Sequence, residues 1–498
     1  MSIDSVLATE TAEPKNQGLV TQAARSVKWS ILYNVVPRLV TPFSTMILAG
    51  LLSSEDFGLV AIAVLINALA QIIVEMGLGK AVIRAQENVE EAASVSFWFT
   101  LFVSSSIYAG LWFFAPSLAQ LFDNQNVVEV IRLAALMLPL SALMAIPKAL
   151  LRRNMEFNRL FWVYSSFLII QAVLSVILAF FGLGALAVIW GQLLGTLATV
   201  FITWSLIRWR PRFLINWAVL RSLLGFSIWI MIGALQEWLF GYADSAIAGF
   251  FLGVELLGAY SLGLHIAIII PSFISASLID VAYPTFCKIQ DDVAEVGKSL
   301  VSLQRLTAAI LFPLALGVAA IASPAIELLY GPKWPGLGTV IALLIVMPGL
   351  SGIWMLNDSA YQAIGKPNLT AKIAGITLFV LLPLISLAAP LGLFYFTLAR
   401  FAGAWLRPLL NIFWGAKVLR ISLKDQFRAL FVPLINAMVM FVVVFALINW
   451  LSPLNGLVGW MKLFSCIATG VFTYTTLTWL TSRDLIDQLL ANVRRMLS

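Results

Sequence analysis

Charged side chains recur inside the longest apolar runs of this sequence. Arg38 stands near the middle of the apolar run 29–52. Asn34, Arg38, Thr41 and Thr45 have the spacing that places them on one face of a helix. An ionised side chain is costly in apolar surroundings, so we expect this face to border a wet or protein-lined space. A guanidinium group in such a space indicates either an anionic ligand, since it binds phosphate with two parallel hydrogen bonds, or a permanent partner such as Glu75.

A second polar stripe follows in the next apolar run, 57–77. Asn67, Gln71 and Glu75 are spaced four residues apart and therefore share a helix face. Gln71 lies at about the same predicted depth as Arg38. Two interpretations stay open for the amides, namely hydrogen bonds between helices and a polar cavity.

The second half of the chain carries further charges at comparable depth. Arg400 and Arg407 fall seven residues apart in the apolar run 391–414, and we expect them to share a face. The residues predicted to bind substrate are Asn34, Arg38, Asn67, Gln71, Arg400 and Arg407. The candidates for binding a coupling proton or sodium ion are Glu75, Glu237, Asp244 and Asp358. A simpler alternative for Glu237 is a permanent pair with an arginine.

The composition indicates what positions these residues. Of 498 residues, 61% are hydrophobic and 11% are charged, whereas a soluble domain has about 25% charged residues. The fold class predicted is therefore all-α, a polytopic integral membrane protein with about fourteen transmembrane helices. The predicted spans are 29–52, 57–77, 94–116, 127–151, 160–181, 184–207, 222–249, 256–281, 301–322, 337–364, 369–388, 391–414, 429–451 and 455–480.

Lysine and arginine positions predict the orientation. With the N-terminus inside, nearly all basic residues of the connections fall on the cytoplasmic side, Lys80, Lys148 and Arg152 among them. The outer loops hold Lys333 alone. This asymmetry predicts cytoplasmic N- and C-termini, and it explains the net charge of +7 without a nucleic-acid surface. Two cysteines support neither a disulfide framework nor a metal site.

Two similar stretches predict an internal duplication. They are "AGLLSSEDFGLVAIA" (49–63) and "AGFFLGVELLGAYSLG" (248–263). Both follow the first helix of a set of six, so we expect two six-helix lobes related by a parallel repeat. The predicted divisions are a tail at 1–28, an N-lobe at 29–207, a basic linker at 208–221, a C-lobe at 222–414, two further helices at 415–480 and a tail at 481–498.

Catalytic motifs do not appear in the sequence. "GLGK" (77–80) lacks the spacing and the hydroxyl residue of a phosphate-binding loop. With one histidine, H-E-x-x-H cannot occur. The predicted outer loops are also short, so the sequence favours a transporter over an enzyme and implies no cofactor beyond a coupling ion.

Several stretches resemble the polysaccharide-exporter branch of the multidrug/oligosaccharidyl-lipid/polysaccharide flippase superfamily. They are "LSSEDFGLVAIA" (52–63), "EMGLGKAVIR" (75–84), "ALLRRNMEFNRL" (149–160) and "LLYGPKWPG" (328–336). The resemblance implies a two-lobe carrier with alternating access, located in a bacterial inner membrane. Its substrate would be an undecaprenyl-pyrophosphate-linked oligosaccharide repeat unit for exopolysaccharide, capsule or O-antigen, held in a cationic cavity where Arg38 and Arg400 would fit.

The implied partners are membrane lipids, a polysaccharide polymerase and a chain-length regulator. A drug/cation antiporter of the same superfamily is an alternative that would favour an acidic cavity. A membrane glycan polymerase or ligase is the alternative from a different class, and it would change polymer length instead of relocating an intact unit.

Overall fold

The regular secondary structure is helical in the part of the chain that the structure describes. The computed structural model describes residues 40–214, 216–451 and 456–483, and no strand occurs within them. Eleven helical stretches among these residues are long and apolar enough to cross a membrane. The predicted class, a polytopic α-helical membrane protein, is confirmed.

Contacts between helices divide the chain into two units, Met1–Tyr242 and Ala243–Ser498. The helices of the first unit are α1 (Val40–Leu51), α2 (Ser54–Glu75), α3 (Leu78–Arg84), α4 (Val89–Leu121), α5 (Asn126–Ala135), α6 (Met137–Arg153), α7 (Phe157–Phe180), α8 (Ala185–Leu206) and the first part of α9 (Trp217–Lys288).

The second unit begins within α9 and contains the remaining helices. They are α10 (Val293–Tyr330), α11 (Leu337–Leu344), α12 (Val346–Ala363), α13 (Asn368–Ala388), α14 (Leu393–Ala404), α15 (Leu406–Val418), α16 (Leu423–Leu451) and α17 (Gly456–Thr481). Short 3-10 turns at Gly331–Lys333 and Ala389–Leu391 follow α10 and α13.

The count of fourteen spans is not confirmed. The first predicted span begins outside the described residues. The seventh and eighth spans both lie within α9, where Gly253 interrupts the helix with φ 82° and ψ 175°, a conformation that glycine adopts without steric cost. The twelfth span is divided between α14 and α15 at Trp405. The predicted lobe and linker boundaries stay a prediction.

The first repeat stretch forms a cap that joins two helices. Ser53 and Asp56 make a capping box at the start of α2, in which the Ser53 hydroxyl accepts from the Asp56 amide at 3.1 Å. One carboxylate oxygen of Asp56 accepts from the Ser53 amide at 2.9 Å, and the other accepts from the amide of Ala185 at 2.7 Å, at the beginning of α8. One acidic side chain thus satisfies donors at the ends of two helices that lie far apart in sequence.

Small residues let α7 and α8 approach closely. A Cβ at Gly191 would lie 2.1 Å from the Ser175 hydroxyl, and one at Gly195 would lie 3.2 Å from the Phe167 carbonyl oxygen. Glycines four residues apart are typical of close helix contacts in membranes, where packing replaces the hydrophobic effect. This contact holds α7 and α8 together on one side of the first unit.

A buried amide network joins α10, α12, α15 and α16 in the second unit. Gln304 donates to the Asn357 side-chain oxygen at 2.7 Å, and the Tyr361 hydroxyl donates to that of Asn411 at 3.0 Å. Gln426 of α16 donates to the Gln304 side-chain oxygen at 3.4 Å, and all five side chains are fully buried. Mutual hydrogen bonds offset the cost of placing them inside an apolar unit.

A cationic cavity as the candidate functional site

A cavity of about 580 Å³ lies in the first unit between α2, α3, α6 and α9. Three of the predicted residues line it, namely Gln71, Glu75 and Glu237. Gln71 donates to the Glu75 carboxylate at 2.7 Å and accepts from the Ser141 hydroxyl at 3.0 Å. Within the described residues, Glu237 has no ion pair, so the predicted pairing with an arginine is not seen there.

Three cations also face this cavity. They are Lys80, Lys148 and Arg152. The Lys148 ammonium lies 5.4 Å from the centre of the Tyr164 ring, and Arg152 donates to the Tyr164 hydroxyl at 2.7 Å. Lys148 makes no hydrogen bond or ion pair within the part of the chain that the structure describes. Its ammonium therefore has donors available for an anion.

The cationic residues were missed as site residues in the sequence. The sequence places Lys80, Lys148 and Arg152 in the cytoplasmic connections, where they indicate orientation. Lys80 lies in α3, and Lys148 and Arg152 lie in α6, which continues to Arg153. The signal that could have found Lys148 is its spacing of four residues from Arg152, which places both on one helix face.

The arginines of the basic segment 149–160 have separate roles. Arg153 donates to the carbonyl oxygens of Val82 at 3.2 Å and Ile83 at 2.6 Å, close to the end of α3. A cation bonded to the last carbonyls of a helix is favourable because those groups lack partners within the helix. Arg159 instead forms an ion pair with Glu156. Arg153 thus holds α3, and with it Lys80, against α6.

Packing of α9 against α2 positions Glu237. The indole of Trp238 donates to the Leu65 carbonyl oxygen at 3.3 Å. A Cβ at Gly77 would lie 2.8 Å from the Ile230 Cβ, and Gly77 adopts φ 74°. Only glycine readily combines this conformation with such close approach.

The other predicted residues of the first unit fall in two groups. Asn67 donates to the Ala134 carbonyl oxygen at 2.9 Å, which is the hydrogen bond between helices that the sequence left open. Asn34 and Arg38 lie outside the described residues.

The deep arginines of the second unit are paired internally. Arg400 donates to the Asp244 carboxylate at 3.0 Å, and the Tyr260 hydroxyl donates to the same oxygen at 2.8 Å. Arg407 donates to Asp358 at 2.6 Å. Each pair joins a residue predicted to bind substrate with one predicted to bind a coupling ion, and their charges balance. Among the described residues discussed above, the cations of the first unit's cavity thus differ from Arg400 and Arg407, which are paired with carboxylates. The roles predicted for Arg400, Arg407, Asp244 and Asp358 stay predictions.

Comparisons with known proteins agree with this architecture. Residues 47–337 match the model of a family described as "Polysaccharide biosynthesis protein". The chain is 27% identical to the succinoglycan biosynthesis transport protein ExoT of Rhizobium meliloti (strain 1021), over 66% of each protein. It is 23% identical to the lipopolysaccharide biosynthesis protein WzxC of Escherichia coli (strain K12), over 72% of this chain and 73% of that protein.

Two solved structures share the fold. The lipid II flippase MurJ, in an inward closed conformation, aligns with a TM-score of 0.74 at 16% identity, over 92% of this chain and 100% of that one. An inward-facing multidrug resistance MATE family transporter aligns with a TM-score of 0.60 at 15% identity, over 79% of this chain and 99% of that one. Both likenesses support the helical membrane fold that the sequence predicts.

Proposed function

The chain belongs to the polysaccharide biosynthesis protein family, and we propose that it is a flippase for undecaprenyl-pyrophosphate-linked oligosaccharide repeat units. It is a multi-pass membrane protein and a transporter, not an enzyme. We propose that it lies in the bacterial inner membrane, as its similarity to bacterial relatives suggests, with both termini in the cytoplasm, as the distribution of lysine and arginine indicates. The polymer served would be an exopolysaccharide, a capsule or an O-antigen.

The Lys148 ammonium carries this proposal, because it lies in the cavity with Arg152 and has no hydrogen bond or ion pair among the described residues. A pyrophosphate that leaves the headgroup region loses hydration, and cations in a partly buried cavity replace the lost interactions. Three cations against two carboxylates give the described lining an excess of positive charge. That excess favours an anionic substrate and disfavours a drug/cation antiporter. The polyprenyl tail would stay in the lipid while the headgroup crosses.

We further propose that the carboxylates of the same cavity bind the coupling ion. Asp244 and Asp358 are already paired with arginines, whereas Glu237 is not paired within the described residues. A proton or sodium ion at Glu237 would reduce the negative charge facing the pyrophosphate and so couple its binding to alternating access. A Glu237→Gln variant should transport at a rate independent of the ion gradient, and a variant that keeps the gradient dependence would refute this assignment.

The test of the proposed function is transfer of a lipid-linked oligosaccharide across reconstituted vesicles. The substrate is the lipid-linked unit that accumulates in cells lacking this transporter, and membrane-impermeant periodate measures its arrival on the opposite leaflet. Hydrogen bonds to charged groups contribute about 1.5–3 kcal/mol, so Lys148→Met should slow transfer by about tenfold or more. Lys148→Arg should retain most of the activity.

The matched control is Lys298→Met, at an exposed position of α10 in the second unit. This variant should transfer the lipid at the wild-type rate. Wild-type protein that does not transfer the lipid, or that lengthens the oligosaccharide, would refute the flippase proposal. Wild-type transfer by a well-folded Lys148→Met protein would instead refute the assignment of the cavity.

A further inference from the structure

A second cavity of about 510 Å³ adjoins the cationic cavity in the first unit. Gln71, Lys148 and Tyr164 line both cavities. Lys148 is the one charged residue in the described lining of the second cavity, and the other polar residues there carry amides and hydroxyls. A ligand that extends past Lys148 from one cavity to the other would therefore meet charged side chains in the first cavity and mainly uncharged polar side chains in the second.

Two glutamines supply unused hydrogen-bonding groups in this second cavity. Gln171 of α7 and Gln192 of α8 are half-buried, and their side-chain amides have no hydrogen-bond partner among the described residues. The amides of Asn67 and Gln71 are by contrast already bonded within the protein. A primary amide has two donor hydrogens and an acceptor oxygen. Leaving both amides unpaired in the apolar zone of a membrane is costly, so a polar occupant is expected.

Close packing of α7 and α8 fixes the positions of these amides. A Cβ at Gly195 would lie 3.3 Å from the backbone nitrogen of Gln171 and 3.4 Å from its Cβ. Gln192 follows Gly191, whose own close approach to Ser175 holds the same two helices together. The amides are thus presented by a rigid helix pair, which lowers the entropic cost of binding.

The lining matches the surface chemistry of a sugar. Hydroxyl groups of a pyranose act as both donors and acceptors, as amides do, and its carbon–hydrogen faces pack on aromatic rings such as Phe167 and Tyr164. The volume falls in the range of about 300–1,000 Å³ that small-ligand sites occupy. We propose that this cavity is a carbohydrate subsite, in which Gln171 and Gln192 hold the sugars nearest the pyrophosphate.

This inference rests on the proposed function and extends it to substrate selection. Lys148 and Arg152 would bind the pyrophosphate that every lipid-linked unit carries. Gln171 and Gln192 would distinguish a glycosylated carrier from a bare one. This division of roles predicts that a substitution can change the affinity for the glycosylated lipid without changing the affinity for the bare lipid.

The experiment compares two probes by native mass spectrometry of the purified full-length protein. One probe is undecaprenyl pyrophosphate, and the other is the lipid-linked oligosaccharide from cells lacking the transporter. The double variant Gln171→Leu/Gln192→Leu should lose about tenfold or more in affinity for the glycosylated lipid, because sugar hydroxyls are left unpaired. Its affinity for undecaprenyl pyrophosphate should match that of the wild type.

Controls separate this result from a folding defect. Gln362→Leu makes the same change at an exposed residue of α12 and should alter neither affinity. Gln192→Asn keeps the amide and should retain a preference for the glycosylated lipid. Unchanged affinity of the double variant for both lipids, or an equal loss for both, would overturn the carbohydrate subsite. Wild-type protein that binds neither lipid would instead overturn the proposed function.

Discussion

The ion pair between Asp244 and Arg400 provides a quantitative test of how the second unit is held together. The Asp244 side chain is 5% exposed and that of Arg400 is 16% exposed. Asp244 accepts from both Arg400 and the buried Tyr260 hydroxyl. The perturbation is Asp244→Leu, which removes the carboxylate and leaves a nearly buried guanidinium group without its partner.

The expected cost follows from the burial of both partners. Removing one member of a buried pair destabilises a protein by about 3–5 kcal/mol, because the remaining charge is neither hydrated nor compensated. Replacing all the partners by apolar groups of similar size is often neutral or stabilising. The triple variant Asp244→Leu/Tyr260→Phe/Arg400→Met should therefore recover most of the stability that Asp244→Leu loses.

The assay is reversible unfolding in mixed detergent micelles, followed by tryptophan fluorescence. The control is Asp425→Leu, at an exposed carboxylate in the first turn of α16, where a small change is expected. Transport by the triple variant adds a second readout, because a pair that only stabilises the fold is dispensable once it is replaced. Gradient-driven transport would then persist in that variant.

Two results would contradict this reasoning. If Asp244→Leu unfolds at the wild-type detergent concentration, the carboxylate does not compensate Arg400. If the triple variant is as stable as the wild type but has lost its dependence on the ion gradient, Asp244 acts in coupling, as the sequence predicted.

Three further changes test the packing. Gly191→Val should lower the thermal unfolding temperature, because its side chain would meet the Ser175 hydroxyl, and Gly110→Val, with nothing within 4 Å of its Cβ, should not. Asp56→Ala removes the cap of α2 and a bond to α8, and should cost about 1–3 kcal/mol of unfolding free energy. Asn357→Leu should cost about 1–3 kcal/mol for each buried partner left unpaired, measured by unfolding in mixed micelles, and wild-type stability would refute the role of the amide network.

The sequence by itself determined the class of the protein. Scarce charge and long apolar runs decide helical membrane insertion, because each spanning helix must satisfy its own backbone in lipid. The stripe Asn67, Gln71 and Glu75 was also readable, since helix geometry alone places the three on one face. Gln71 and Glu75 do line the cationic cavity, whereas Asn67 bonds to a neighbouring helix.

Tertiary structure alone decided which charged side chains are paired within the protein and which are available to bind a ligand. Asp244 and Arg400 were both visible as deep ionisable residues, but 156 positions separate them and no local pattern could pair them. Lys148 was not predicted to bind a ligand, because its place near a helix end suggested a role in orientation. Only packing of α6 beside α2 and α9 turns its ammonium into the cavity. The spacing of residues on a helix face follows from local backbone geometry. Which charges form ion pairs depends instead on which helices pack together, and helix packing depends on contacts distributed over the whole unit.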